Sequence, residues 1–177
     1  MIDLSELSLD ELIQLMTNVR RELRETRKWF DKTRPDWDSY WSFIAYAVSL
    51  RGACARRKVG AVIVSEDNIL LGTGYNGRMS GVPNCLDVPC EGVGAFVGRK
   101  MNTCEADHAE VNAWARCKAP DQAHTIYVTA SPCEHCVPAL LDTPIQRIVY
   151  SDEHADISFS QSKWTGAGRQ WDYFKER

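Results

Sequence analysis

Three side chains of metal-ligand type and one carboxylate lie in two short motifs of this 177-residue chain. His108 and Glu110 stand two residues apart, and Cys133 and Cys136 follow within the run Pro-Cys-Glu-His-Cys. Zn²⁺ prefers imidazole and thiolate ligands in a tetrahedron, and a catalytic site leaves the fourth position to water. One histidine and two cysteines therefore predict a catalytic zinc site, with Glu110 as the base that moves protons beside it.

The two motifs occur in the order H-x-E and then P-C-x-x-C, which is the signature of zinc-dependent deaminases. Each motif has a simpler reading by itself. H-x-E on a helix is common without a metal, and C-x-x-C in a cytosolic chain is also typical of redox pairs. Neither explains why both motifs occur where a helix is expected to begin. A non-enzymatic zinc-binding module stays an alternative, but it would give Glu110 no role.

The composition is that of an ordinary globular protein, with 44% hydrophobic and 25% charged residues. A net charge of −3 and a pI of about 5.8 disfavour nucleic acid and anionic membranes as partners. No apolar run is long enough to span a membrane, and no secretory signal is visible. Seven cysteines, two of them in a metal motif, indicate a reducing cytoplasm, or the host cytoplasm if the chain is phage-encoded.

Hydrophobic periodicity predicts the helices before the motifs. Ser8-Leu9-Asp10-Glu11 is typical of a capping box and predicts an amphipathic helix from about 9 to 30. We therefore expect an N-terminal helical extension, 1–35, and a single domain with an aromatic C-terminal segment, 36–177. A second helix is expected from about 37 to 52. Its inward side chains should be Trp37, Trp41, Ile44, Ala45 and Val48.

Strands and further helices account for the rest of the domain. A helix should begin at Asp107 or His108 and run to about Lys118, so that His108 and Glu110 reach a metal off its positive end. A later strand should deliver Cys133 and Cys136 to the start of a short helix that ends near 142–144. The resulting order, β-β-α-β-α-β, predicts a three-layer α/β/α sandwich with a hairpin at one side of a mixed sheet. The expected strands are 59–64, 69–74, 125–130 and 145–150.

Five blocks of the chain resemble, in order, the deoxycytidylate (dCMP) deaminases of bacteria and their phages. The blocks are RRKVGAVIV at 56–64, GYNG at 74–77, HAEVNA at 108–113, YVT at 127–129 and PCEHC at 132–136. The resemblance implies the cytidine deaminase type of fold, with a central mixed sheet of about five strands. It also implies hydrolytic deamination of dCMP to dUMP and ammonia by a zinc-activated water, which supplies dUMP for thymidylate synthesis.

The same resemblance implies residue roles and partners. His108, Cys133 and Cys136 would bind the catalytic zinc, and Glu110 would carry protons to N3 and to the leaving amino group. A homo-oligomer, often a hexamer, is implied, with dCTP as activator, dTTP as inhibitor and Mg²⁺ accompanying such a triphosphate. Asn76 should hydrogen-bond the sugar, with a plain turn asparagine as the alternative. The expected substrate or effector contacts are Asn76, Gly74, Tyr75, Gly77, Ala109, Ser131, Arg51 and Arg57.

The basic cluster that includes Arg51 and Arg57 could hold a substrate phosphate, although such runs are most often a solvated face. The substrate is accordingly open at this point. A deaminase of the same fold could act on another cytosine nucleotide, a nucleoside, a free base or a modified deoxycytidylate. A nucleic-acid editor is disfavoured because the chain is acidic.

Four further cysteines predict a second, structural zinc. Cys54 ends the second helix, and Cys85, Cys90 and Cys104 lie in a long aperiodic loop, 74–104, without an apolar core of its own. Four thiolates suffice for a closed tetrahedral site that contributes folding energy. Some dCMP deaminases that resemble this chain carry a structural zinc held partly from positions matching Cys54 and Cys85. Unpaired thiols in a reducing cell are the alternative.

Overall fold

The computed structural model of the protein describes residues 8, 13–14, 17, 34–94, 104–153 and 157–175. The chain separates into two compact units, 1–36 and 37–177. Of the helix expected from about 9 to 30, the three described residues are helical, and the others lie outside the described ranges. Within those ranges, no helix combines the length and the hydrophobicity that a membrane span requires.

The second unit is built on one mixed sheet. The strands of this unit are β1 (Gly60–Val64), β2 (Leu70–Tyr75), β3 (Gly77–Arg78), β4 (Ala106–Asp107), β5 (Thr125–Val128), β6 (Arg147–Tyr150) and β7 (Gln170–Tyr173). Strands β3 and β4 form a separate two-stranded ribbon. The helices of the unit are α1 (Trp37–Ser49), α2 (Ala109–Ala115), α3 (Cys136–Leu141) and α4 (Ser158–Gly166), with 3₁₀ turns at Glu91–Gly94 and Pro120–Gln122. The large sheet has the order β2-β1-β5-β6-β7, with β1 antiparallel to both neighbours and the last three strands parallel. The predicted mixed sheet of about five strands, with the hairpin at one side, is confirmed.

Helices cover both faces of this sheet, because successive side chains of a strand point to opposite sides. The helices on the first face are α2, α3 and α4, and α1 lies on the second face. The first face buries Ile63, Ile126 and Ile148 with Val137, Leu140 and Trp164. The second face buries Val62, Tyr127 and Val149 with Trp41 and Ala45. The three central strands therefore lie between two apolar layers, as the predicted sandwich requires.

Two glycines let the helices approach the sheet closely. A Cβ added to Gly60 in β1 would lie 2.2 Å from the carbonyl oxygen of Ala45 in α1. A Cβ added to Gly74 in β2 would lie 2.2 Å from the backbone nitrogen of Ala113 and 2.3 Å from the carbonyl oxygen of Ala109, both in α2. Any side chain at Gly74 would therefore push α2 away from the sheet.

Helix α2 is shorter than predicted. It begins at Ala109 rather than at Asp107 or His108, because Asp107 pairs in β4 and His108 keeps an extended backbone as the N-cap residue. It ends at Ala115 rather than near Lys118, because the backbone after it leaves the helical conformation. Cys117, which the predicted span to Lys118 would include, therefore lies beyond the end of the helix.

Helix α1 also differs from its prediction. It ends at Ser49 rather than at about 52. Trp41 and Ala45 are buried as expected, but Trp37 is 46% exposed. Trp37 is the first residue of the helix, and its ring stacks on Trp41 with a centroid distance of 6.2 Å rather than entering the core.

The aromatic C-terminal segment forms α4 and β7, and the sequence pattern did not predict β7 as a strand. Trp164 is fully buried and donates its indole N–H to the carbonyl of Gln170 at 2.8 Å. Arg169 lies over the Trp164 ring and donates to the carbonyls of Leu140 and Leu141 at the end of α3. The segment is therefore an integral layer of the domain.

An ionic network links α1 to the sheet near one end of β6. Both terminal nitrogens of Arg147 donate to the carboxylate of Asp38 at 2.8 Å, and its Nε donates to Asp172 at 2.6 Å. The hydroxyl of Tyr127 donates to the same Asp38 carboxylate at 2.8 Å. These four side chains line a polar cleft of about 570 Å³. The cleft lies at the start of β5 and β6, at the opposite end of these strands from the loop that carries Cys133 and Cys136.

Candidate active site

The two sequence motifs meet at one edge of the sheet. His108 directly precedes α2, and Cys133 and Cys136 lie in the turn that leads from β5 into α3. Nδ1 of His108 is 3.1 Å from Sγ of Cys136 and 3.4 Å from Sγ of Cys133, and the two sulfurs are 3.7 Å apart. In the part of the chain that the structure describes, these three residues are the one group of three or more potential metal ligands within 4.8 Å of one another.

The geometry of this group fits zinc. Two thiolates that each lie about 2.3 Å from a tetrahedral zinc are separated by about 3.8 Å. The separation of 3.7 Å between the sulfurs of Cys133 and Cys136 matches that value. One imidazole and two sulfurs also form the donor set that a catalytic zinc takes when the fourth position is left to water.

The three ligands are electrostatically coupled. Hydrogen bonds from Cys136 and from His108 lower the pKa of Cys133 to about 3 against the opposing effect of burial. The same Cys133 hydrogen bond raises the pKa of His108 to about 8. The pKa of Cys136 is raised, first by its bond to Cys133 and then by burial. A metal ion would displace these shared protons, since zinc binds thiolates and neutral imidazole.

Glu110 lies in the first turn of α2 and is 4% exposed. Among the described residues it is the one buried carboxylate. Burial raises its pKa, while its own backbone N–H and His108 oppose that rise. The negative charge of Glu110 in turn contributes to the raised pKa of Cys136. A buried carboxyl group with a raised pKa beside a metal site is suited to accept and return protons near neutral pH.

Backbone hydrogen bonds shape the turn that carries the cysteines. The N–H of Ser131 donates to the carbonyl of Asp152 at 2.8 Å, which joins the loops after β5 and β6. The N–H groups of Cys136 and Val137 both donate to the carbonyl of Cys133 at 3.1 Å. The turn thus brings the two sulfurs within 3.7 Å of each other.

The Gly-Tyr-Asn-Gly segment is held beside the metal ligands. Gly77 pairs with Asp107 in the small β3–β4 ribbon, one residue before His108. The side-chain amide of Asn112 in α2 donates to the carbonyl of Tyr75 at 3.0 Å. The segment therefore borders the site.

The predicted contact residues in this segment have structural partners of their own. Asn76 is 8% exposed; its side chain accepts the N–H of Val59 at 2.9 Å and donates to the carbonyl of Arg57 at 2.7 Å. Gly74 and Ala109 face each other in the contact between β2 and α2. A sugar contact by Asn76 stays a prediction, which would use its second amide proton.

The predicted basic residues lie near the same edge. Arg51 is exposed just after α1, and Ser131 is buried in the loop after β5. The guanidinium of Arg57 forms an ion pair with Asp152. Sequence reasoning missed Asp152, because nothing in the run Tyr-Ser-Asp-Glu-His distinguishes it from other exposed acidic residues.

Fold and site together define a class of protein. A three-layer α/β/α sandwich holds a His-Cys-Cys zinc site at the carboxyl ends of its parallel strands, with a buried glutamate beside the ligands. This combination is that of a zinc hydrolase with an open metal position.

Comparison with known proteins narrows the class. Residues 35–152 match the model of the cytidine and deoxycytidylate deaminase zinc-binding region. The deoxycytidylate deaminase of Mycobacterium phage D29 is 41% identical over 127 residues, covering 68% of this chain and 98% of that protein. The deoxycytidylate deaminase of Saccharomyces cerevisiae is 31% identical over 171 residues, covering 92% of this chain and 54% of that protein. The chain belongs to the cytidine and deoxycytidylate deaminase family.

A solved structure gives the same fold. The dCMP deaminase from the cyanophage S-TIM5, in complex with dCMP and dUMP, superposes with a TM-score of 0.62 at 22% sequence identity. The superposition covers 80% of this chain and 99% of that chain. The cytidine deaminase type of fold, expected from the sequence blocks, is confirmed.

Proposed function

We propose that this protein hydrolyses dCMP to dUMP and ammonia, and so supplies dUMP for thymidylate synthesis. The observation that carries the proposal is the buried Glu110 beside a His-Cys-Cys site, in a chain 41% identical to a phage deoxycytidylate deaminase over 98% of that protein. The alternative is a deaminase of the same fold that accepts another cytosine nucleotide, a nucleoside or a modified deoxycytidylate.

The proposed reaction assigns one role to each group. His108, Cys133 and Cys136 would hold a zinc ion, which would act as a Lewis acid and make water a nucleophile near neutral pH. Glu110 accepts a proton as the water oxygen adds to C4 of the cytosine ring, and it donates a proton to N3. It then carries a second proton to the exocyclic nitrogen, which leaves as ammonia. One water is consumed and the uracil carbonyl is formed, so atoms and charge balance.

Ammonia release from dCMP, CMP, deoxycytidine and cytosine tests this proposal. The zinc-loaded protein should prefer dCMP by orders of magnitude in kcat/KM, because each 1.4 kcal/mol of phosphate binding contributes about tenfold. Equal efficiency on deoxycytidine would assign the protein to the nucleoside alternative. A protein with bound zinc that releases no ammonia from any of the four would instead be a non-enzymatic zinc module.

We also propose a homo-oligomer, for which the family resemblance suggests a hexamer. The support is an uncharged, exposed face of α1 and the residue after it. Asp38 is the one charged residue of α1, and it is bonded to Arg147. Monomeric proteins rarely expose large contiguous apolar patches. The exposed side chains of this face are Trp37, Tyr40, Phe43, Tyr46 and Leu50.

Regulation by triphosphates belongs to the same proposal, with support from the resemblance alone. Light scattering would give the oligomer size, and dCMP saturation with and without dCTP or dTTP and Mg²⁺ would test the coupling. We expect sigmoidal dCMP saturation, which dCTP makes hyperbolic and dTTP makes more strongly sigmoidal. Hyperbolic saturation that neither triphosphate alters would contradict regulation.

A second zinc held by Cys54, Cys85, Cys90 and Cys104 is a further proposal. The sulfurs of Cys85 and Cys90 are 3.6 Å apart, close to the separation of about 3.8 Å between two ligands of a tetrahedral zinc. The backbone N–H groups of Cys90 and Ala55 lower the pKa of the buried Cys85. No three of the four sulfurs lie within 4.8 Å of one another in the part of the chain that the structure describes, so zinc binding would require Cys54 and Cys104 to move toward the Cys85–Cys90 pair. All seven cysteines are free thiols, which also suits the cytoplasm that we propose as the protein's location.

Metal analysis tests the second zinc. We expect about two zinc ions per subunit in the wild type and one in Cys85→Ser, with a lower melting temperature. Cys117→Ser is the matched control, because Cys117 packs beside the apolar core and should leave both metals in place. One zinc per subunit in the wild type would contradict the proposal.

A further inference from the structure

The ends of four strands, β1, β2, β5 and β6, lie together on one side of the sheet, and this side is the edge at which the site lies. β1 begins there at Gly60, which pairs with Tyr75, the last residue of β2. Val128 and Tyr150, the last residues of β5 and β6, pair with each other at the same edge. The loops that leave this edge carry the cysteine ligands. Crevices outside the carboxyl ends of parallel strands are where open α/β sheets bind their ligands.

Arg57 and Asp152 form an ion pair across this edge. Nη2 of Arg57 donates to Oδ2 of Asp152. The backbone of each is tied to a loop of the site. The carbonyl of Arg57 accepts from the buried Asn76 side chain at 2.7 Å, and the carbonyl of Asp152 accepts the N–H of Ser131 at 2.8 Å. Ser131 is two residues before Cys133, so the backbone of Asp152 is held close to the metal ligands.

Two neighbouring cationic side chains, Lys58 and Arg78, have partners other than Asp152. The Nζ of Lys58 donates to the carbonyl of Leu50 at the end of α1, at 3.3 Å. Arg78 forms an ion pair with Glu105. Arg57, by contrast, keeps 39% of its side chain exposed at the edge that carries the site. A guanidinium has five N–H donors in a plane, and Asp152 engages it through one terminal nitrogen, Nη2.

We propose that Asp152 is a positioning residue that orients the Arg57 guanidinium toward the 5′-phosphate of the substrate. The inference rests on the proposed activity on a nucleoside monophosphate and names the pair that selects for it. Arg57 would bind phosphate oxygens with the N–H groups that Asp152 leaves open, as planar bidentate recognition allows. Asp152 would fix the plane of that guanidinium, so that less rotational freedom is lost on binding.

Kinetics of Asp152→Ala and Asp152→Asn on dCMP and on deoxycytidine test the inference. Asp152→Ala should raise KM for dCMP about tenfold through loss of the charge-assisted bond, with kcat within about twofold. Asp152→Asn keeps an acceptor oxygen but loses the charge, so its KM should lie in between. Neither change should alter kcat/KM for deoxycytidine, which has no phosphate. An exposed ion pair contributes little to stability, so both variants should fold.

Two further variants separate positioning from general charge. Glu153→Gln removes one negative charge from the neighbouring exposed position and should leave KM for dCMP unchanged. Arg57→Met should lose most of the preference for dCMP, and adding Asp152→Ala to it should change nothing more, because the two residues act as one unit.

The possible results distinguish this inference from the proposed function. A wild type that prefers dCMP, with a preference that Asp152→Ala leaves intact, overturns the inference alone. A lower KM for dCMP in Asp152→Ala would make Asp152 a competitor of the phosphate, and equal losses on both substrates would make its role structural; either overturns the inference. A wild type that does not prefer dCMP overturns the proposed function as well.

Discussion

Replacing Gly74 with alanine perturbs the active site without touching any residue that carries chemistry. The new Cβ would lie 2.2 Å from the backbone nitrogen of Ala113 and 2.3 Å from the carbonyl oxygen of Ala109. Both atoms belong to the backbone of α2, so no rotamer change can relieve the clash. Real Cβ atoms essentially never come closer than 3.0 Å to such atoms, and α2 must therefore retreat from the sheet by about 1 Å.

That displacement has two calculable effects. Overpacking of a tight contact destabilises a protein by about 1–3 kcal/mol, which lowers the melting temperature of a chain of this size by about 2–12 °C. The same displacement carries His108 and Glu110 away from the two cysteines, because these lie on α3 and its preceding turn. A misplacement of about 1 Å reduces the rate of an oriented reaction by about a hundredfold.

We would measure kcat/KM for dCMP, zinc content and the melting temperature in a series of glycine-to-alanine variants whose predicted clashes differ in severity. Gly72→Ala should show a smaller loss, because its Cβ would lie 2.7 Å from the carbonyl oxygen of Ala113. Gly166→Ala is the matched control, since a Cβ there meets no atom within 4 Å. If Gly74→Ala retained wild-type kcat/KM and melting temperature, the contact between β2 and α2 would not be what positions His108 and Glu110.

Other perturbations test the site and the framework separately. Glu110→Gln should keep zinc but lower kcat by about 10²–10⁴-fold, measured as ammonia release from metal-loaded protein; wild-type turnover would refute its role as proton carrier. Trp164→Ala should cost about 3–5 kcal/mol in urea unfolding, whereas the exposed Phe159→Ala on the same helix should cost under about 0.5 kcal/mol. Asp38→Asn should cost about 1 kcal/mol, because the Asp38 pKa is lowered first by the hydrogen bond from Arg147 and the pair is partly exposed. Because the Asp38 pKa is lowered in the folded state, the wild type should exceed Asp38→Asn in unfolding free energy by the full amount above about pH 5, and this difference should disappear as the pH falls through that pKa. A difference in unfolding free energy that increased in acid would contradict a stabilising role for ionised Asp38.

The metal ligands could be predicted from the sequence because their types and spacing restrict the chemistry. His108, Cys133 and Cys136 come from two motifs whose order is itself informative, and each motif lies where a helix begins. The central strands could be predicted for a similar reason, because runs such as Val-Gly-Ala-Val-Ile-Val are apolar on both faces of a buried sheet.

Other features depend on neighbours that are distant in sequence. The tetrapeptide of β7, Gln170–Tyr173, has one buried side chain, Trp171, and becomes a strand only because β6 offers it a free edge. Gly74 suggested a binding loop, but its contact with α2 involves residues about 35 positions later. The orientation of Trp37 follows from its position at the helix end, which a periodic pattern does not specify.

The pairing of β1 with β5 also has a kinetic consequence. Val64 and Thr125 are partners in this ladder, so some 60 residues of intervening chain must close into a loop before the centre of the sheet exists. Closing a flexible loop of that length costs about 3.6 kcal/mol of chain entropy. Non-local pairing of this kind is typical of domains that refold in milliseconds to seconds.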